Sequence, residues 1–89
     1  MGEVMASAVA AVDGVYVVVK DDGNVFWVDA NSGHAVDAGK LKGKAPFSVA
    51  CSVGANVENC VIADSEGNMW HGTARPMGQP FKPVAIGRH

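Results

Sequence analysis

Val15-Tyr16-Val17-Val18-Val19, then Asp21-Asp22-Gly23-Asn24, then Val25-Phe26-Trp27-Val28 is the stretch that decides the architecture. It returns forty-four residues later as Cys60-Val61-Ile62-Ala63, Ser65-Glu66-Gly67-Asn68 and Met69-Trp70-His71. Each copy is an apolar run, a turn and a second apolar run. An acidic residue followed by Gly and Asn between β-forming residues is a hairpin signal, because Gly supplies the positive φ of a tight loop. Gly23, Asn24, Gly67 and Asn68 are therefore read as the turn-forming positions.

Working outward, an offset of 44 aligns Met5–Ala30 with Val49–Ala74, and seven of the 26 pairs are identical. Roughly two would be expected by chance from such a composition. The identities are Ala6/Ala50, Val9/Val53, Ala11/Ala55, Val17/Val61, Gly23/Gly67, Asn24/Asn68 and Ala30/Ala74. Each copy opens with a further apolar segment (4–11; 47–53) and has room for a fourth strand near 39–44 and 81–86. The expected unit is a four-stranded antiparallel β-meander used twice in one domain, 1–89, with repeat 1 over about 1–45 and repeat 2 over about 46–89. The alternative is a single compact small β-barrel or sandwich. Val15–Val19 does not alternate apolar with polar, so both of its faces are expected to be covered.

Composition agrees. Of 89 residues, 48% are hydrophobic and 18% charged, where about a quarter charged is usual. The apolar share is carried by Val and Ala, with one leucine, Leu41, which disfavours a helical bundle and favours an all-β chain. A domain this small buries only about 60–65% of its unfolded surface, so assembly is expected.

The second copy resembles a repeat of the regulator of chromosome condensation family of β-propellers. The matching residues are Val49-Ala50-Cys51, Cys60-Val61-Ile62-Ala63, Gly67-Asn68-Met69-Trp70, Gly72 and Gly78-Gln79. In the first copy Val17-Val18-Val19, Gly23-Asn24-Val25-Phe26 and Trp27 echo it. The chain departs from the family at Ser52, where the family has Gly, in a displaced Trp-Gly pair, and in a shorter repeat. The resemblance implies a propeller-like scaffold for protein binding. The family closes seven blades in one chain, whereas two repeats close no ring, so self-association is expected, with three chains supplying six blades.

Chemistry points away from catalysis. His34, His71 and His89 stand at no metal-ligand spacing, and the Asp21-Asp22-Asn24 loop lacks calcium-loop spacing, so neither metal nor cofactor is expected. An active site between chains from His71, Asp64 and Arg75 is the enzymatic alternative. The net charge of -2 disfavours nucleic acid. No apolar run is long enough to span a bilayer, and Met1-Gly2-Glu3-Val4 is unlike a secretory signal. A cytoplasmic protein is expected, with Cys51 and Cys60 adjacent across a hairpin centred between Ala55 and Asn56 but reduced.

Candidate binding residues remain. Trp27 and Trp70 are either packing aromatics between blades or, with His71 and Arg75, stacking and polar contacts for a sugar or peptide. The latter gives a lectin-like oligomer as the alternative function; a third is an accessory protein capping a larger complex. Lys40, Lys42 and Lys44 alternate along one face, as a solvated edge or an anion contact. The Pro-rich stretch 75–83 reads as an irregular loop or edge, or as a docking peptide.

Overall fold

A computed structural model describes residues 6–54, 57–75 and 77–84. The described chain is all-β: β1 (Ala6–Val12), β2 (Val15–Lys20), β3 (Asn24–Asp29), β4 (Ala35–Lys40), β5 (Ser48–Gly54), β6 (Val57–Ala63), β7 (Met69–Thr73) and β8 (Lys82–Pro83). They form two four-stranded antiparallel meanders, β1-β2-β3-β4 and β5-β6-β7-β8. Among the described residues no helix is long and apolar enough to cross a membrane.

The repeat holds where its hairpin signal lies. Tyr16 pairs with Val28, Val17 with Trp27, Val18 with Phe26 and Val19 with Val25. At +44, Cys60 pairs with Gly72, Val61 with His71, Ile62 with Trp70 and Ala63 with Met69. The two turns share a backbone bond: Gly23 N–H donates to Lys20 O at 2.8 Å and Gly67 N–H to Asp64 O at 3.4 Å. Ala30 N–H donates to Gly14 O, and Ala74 N–H to Glu58 O, both at 2.9 Å. Both turn glycines have positive φ, 94° and 89°, which Gly adopts without a Cβ clash.

Outside that hairpin the offset changes. Ala10 faces Val17, whereas Ala50 faces Val61, so the first strands correspond at an offset of 40. The β5–β6 hairpin is longer by two residues on each strand, and the pairs Ala6/Ala50 and Val9/Val53 are not structural equivalents. The fourth strand of repeat 1 also comes earlier than expected, at Ala35–Lys40. The cause is a tight turn: Asp29 Oδ1 accepts the N–H groups of Asn31 and Ser32, and Gly33 N–H donates to Asp29 O. Residues 4–5 of the first expected strand, the hairpin tip 55–56, residues 85–86 of the last and His89 lie outside the described residues.

Successive strand residues face opposite sides of a sheet. Val15, Val17, Val19, Val25 and Trp27, the front of repeat 1, are buried; Tyr16, Val18, Phe26 and Val28, its back, are half-buried or exposed. The expectation that both faces of Val15–Val19 are covered is thus corrected, since Tyr16 keeps 43% of its surface. In repeat 2 the pattern inverts. Cys60, Ile62, Trp70 and Gly72, equivalent to the back of repeat 1, are buried, while Val61, Ala63, Met69 and His71, equivalent to its front, are not.

The two sheets are therefore stacked front to back. Trp27 and the repeat-2 residues Phe81, Ile62 and Trp70 share one core. The Trp27 and Phe81 rings stack with centroids 5.7 Å apart, and Phe81 lies so close over Gly72 that any Cβ there would stand 2.6 Å from its ring. The corresponding first strands β1 and β5 lie against each other. The linker after β4 is sewn to both hairpin turns: Leu41 N–H donates to Gly23 O, Ser65 N–H to Lys44 O, and Lys44 N–H to Asp64 Oδ2.

Candidate interaction surfaces

Stacking two like sheets front to back leaves two unlike faces outside. The back of repeat 1 carries large side chains, with Val9 and Tyr16 exposed and Val18 and Phe26 half-buried. At its rim the Lys20 ammonium stands 5.3 Å from the Phe26 ring centroid, a cation–π arrangement. The front of repeat 2 carries small ones. There Ser48, Ala50, Val61, Ala63 and Met69, together with Val49 of β5, which itself packs toward the core, line a groove of about 350 Å³. Beside it His71 Nε2 is hydrogen-bonded to Asn59 Oδ1 at 3.1 Å.

Both tryptophans are packing residues. Trp27 is fully buried and Trp70 is 8% exposed, so neither offers a ring face to a sugar or peptide. They stand one position apart in the repeat frame and hence point to opposite faces; front-to-back stacking turns both inward. Trp27 Nε1 has no protein acceptor among the described residues.

Glu58, buried on the back of repeat 2, accepts from Arg75 Nε at 3.1 Å and Nη2 at 3.4 Å. This forked pairing suits a planar guanidinium. Its own backbone N–H and then Arg75 hold the Glu58 carboxyl below the usual range, against the effect of burial. Arg75 is thus engaged in an ion pair, although its side chain remains 63% exposed.

Asp64 is the most heavily used carboxylate. Burial raises its pKa, but donation from the Asn68 side chain and from the backbone N–H groups of Lys44, Asn68 and Glu66 outweighs that and lowers it to about 2. The bonds are 2.8–3.0 Å long. In repeat 1 the equivalent position is Lys20, and the turn is instead held by Asp22, whose Oδ1 and Oδ2 accept from Asn24 N–H and Nδ2 at 3.0 and 3.2 Å. Asp64 precedes β7 and Arg75 follows it, while His71 lies on the open front. The structure does not bring these three together as a single-chain site.

Lys40, Lys42 and Lys44 are all exposed, with Leu41 buried between the first two. Only Lys40 lies in a strand, so the expected fourth strand around 39–44 is a linker over most of its length. The 75–83 stretch holds the buried Phe81 and the short β8; its Pro76 lies outside the described residues.

Cys51 and Cys60 face each other across β5 and β6 as expected, but they are bonded as a disulfide, not reduced. Their direct cross-strand position, with Cα atoms 4.0 Å apart, brings the sulfurs within bonding reach; the expectation of free thiols rested on compartment alone. Among the described residues no three His, Cys, Asp or Glu side chains are grouped to hold a metal ion.

The sequence reading missed Glu58 and the anchoring role of Asp64. The available signal for Asp64 was an Asp placed four residues before the turn Asn. Comparison with family models, with curated proteins and with solved structures finds no match to this chain.

Proposed function

We propose that this chain is a non-enzymatic binding or scaffold module that self-associates to complete a propeller-like β assembly, which then binds a protein partner. The observation that carries this reading is the front-to-back stack with an apolar face left open on either side. Two blades are half or less of the four to eight that propellers use. Further copies would supply the missing sheets, and an open sheet face rich in Val, Tyr and Phe gains by being covered.

The native particle mass at micromolar concentration, measured by light scattering, tests it. A particle of three chains, each of 9.2 kDa, is expected. A single-chain mass with a sharp thermal transition would refute the reading and favour a self-sufficient two-sheet domain.

A further inference from the structure

Resting on that reading, we infer that copies join head to tail: the back of repeat 1, with Tyr16, Val18 and Phe26, seats on the front of the next copy's repeat 2, over Ala50, Val61, Ala63 and Met69. The occupant of each open face is a second copy of this chain, because the interface inside one chain already pairs the equivalent surfaces.

The equivalence is residue by residue. The front of repeat 2 presents Ala50, Val61, Ala63 and Met69; the corresponding front of repeat 1 presents Ala10, Val17, Val19 and Val25. Val17, Val19 and Val25 have no exposed surface, and Ala10 packs partly buried against the same core. The sheet that covers them is the back of repeat 2, with Cys60, Ile62 and Trp70. At +44 those three correspond to Tyr16, Val18 and Phe26, so the open back of repeat 1 has the position and chemistry of a surface that already covers a repeat front.

Shape agrees. The open front carries a shallow, open groove lined by small and flexible side chains, while the open back carries two aromatic rings and Val18. One surface therefore supplies the bulk that the other lacks, which is the complementarity an interface core needs. Contact between unlike faces is heterologous: it closes a ring if the rotation between copies permits, and otherwise propagates. A symmetric back-to-back dimer would leave both grooves unfilled.

Two single variants separate these arrangements. Tyr16→Glu puts a charge on the back, and Ala50→Glu puts one on the front, both at exposed positions. Each variant alone is expected to run as a single chain at micromolar concentration, with association weakened about thirtyfold or more, the level of a central interface residue. Mixed in equal amounts they should form a two-chain particle and nothing larger, because each contributes one intact face. Far-UV circular dichroism checks folding, and Val9→Lys with His71→Lys, both at exposed positions and of like charge, is a second pair should an acidic substitution unfold a sheet. Assembly of the parent chain with an unaffected Ala50→Glu, or a mixture that stays single-chain, would overturn the head-to-tail seam and leave self-association standing. A single-chain parent would overturn both.

Discussion

Adding one methyl group at Gly72 tests the packing between the two sheets at its tightest point. An alanine Cβ there would stand 2.6, 2.6 and 2.7 Å from Cδ1, Cε1 and Cγ of Phe81, whereas carbon atoms rest about 3.5–4.0 Å apart. The ring must retreat by about 1 Å, and its other side is stacked on Trp27, which has no exposed surface. Overpacking of this kind costs about 1–3 kcal/mol. Disturbing the aromatic pair adds about 0.5–1.5 kcal/mol, and replacing Gly by Ala returns about 0.5–1 kcal/mol of chain entropy. The net loss is about 2 kcal/mol, within a span of about 0.5–4 kcal/mol, and a chain of this size loses about 4–8 °C in Tm per kcal/mol. Urea unfolding followed by tryptophan fluorescence reads it directly, with protein concentration held fixed because association would shift the midpoint. Phe81→Ala alone should cost about 3–5 kcal/mol. In that background Gly72→Ala should cost nothing, since its methyl occupies vacated space, giving a coupling of about 1–3 kcal/mol. A loss below about 0.5 kcal/mol in the parent, or an equal loss in both backgrounds, would refute the placement of Phe81 between Gly72 and Trp27.

The two equivalent turn glycines should respond unequally. At Gly67 a Cβ meets nothing within 4 Å, so Gly67→Ala should cost only the left-handed backbone strain of about 1–2 kcal/mol. Gly23→Ala should cost more, because its Cβ would lie 2.5 Å from Leu41 O; equal urea midpoints would contradict the linker packing. The Asp64 carboxyl is lowered from 3.8 to about 2 in the folded chain. Its stabilisation is therefore present above the unfolded value and lost as pH falls from about 4 to about 2. The urea midpoint should fall more steeply across that window in the parent than in Asp64→Asn, and parallel profiles would count against the hydrogen-bonded carboxylate. Reducing Cys51–Cys60, nine residues apart, should remove about 2–3 kcal/mol by the loop-entropy relation. Denaturation with and without dithiothreitol checks this, and two titratable thiols in the untreated protein would contradict the bridge.

The hairpin and its reuse could be read from residues because their causes are local. Gly23-Asn24 and Gly67-Asn68 dictate a turn wherever they stand between β formers. The displaced first strand could not be found by ungapped comparison, since the extra length lies in the β5–β6 hairpin and Ala and Val match at many offsets. The half-open middle strand has a different cause. Val15–Val19 carries side chains suited to covering on both faces, but the chain provides a sheet for one. Trp27 and Trp70 illustrate a third limit: strand parity fixes that they point to opposite faces, and only the stacking of one repeat on the other turns both indoles inward. Glu58 and Arg75 are separated by 17 residues and meet through the β6–β7 pairing and the bend after it, a contact no local pattern announces.

The linker from Leu41 to Phe47 has a consequence beyond holding the sheets in place. It bonds to the turn of repeat 1 at Gly23, to the turn of repeat 2 at Asp64 and Ser65, and through Phe47 N–H to Ser7 Oγ in β1 at 2.9 Å. Fraying of either hairpin therefore breaks hydrogen bonds that organise the other, and the duplication does not yield two independent foldons. Amide exchange in β2, β3, β6 and β7 should report one shared opening free energy, so that a chain built by repetition melts as an undivided whole.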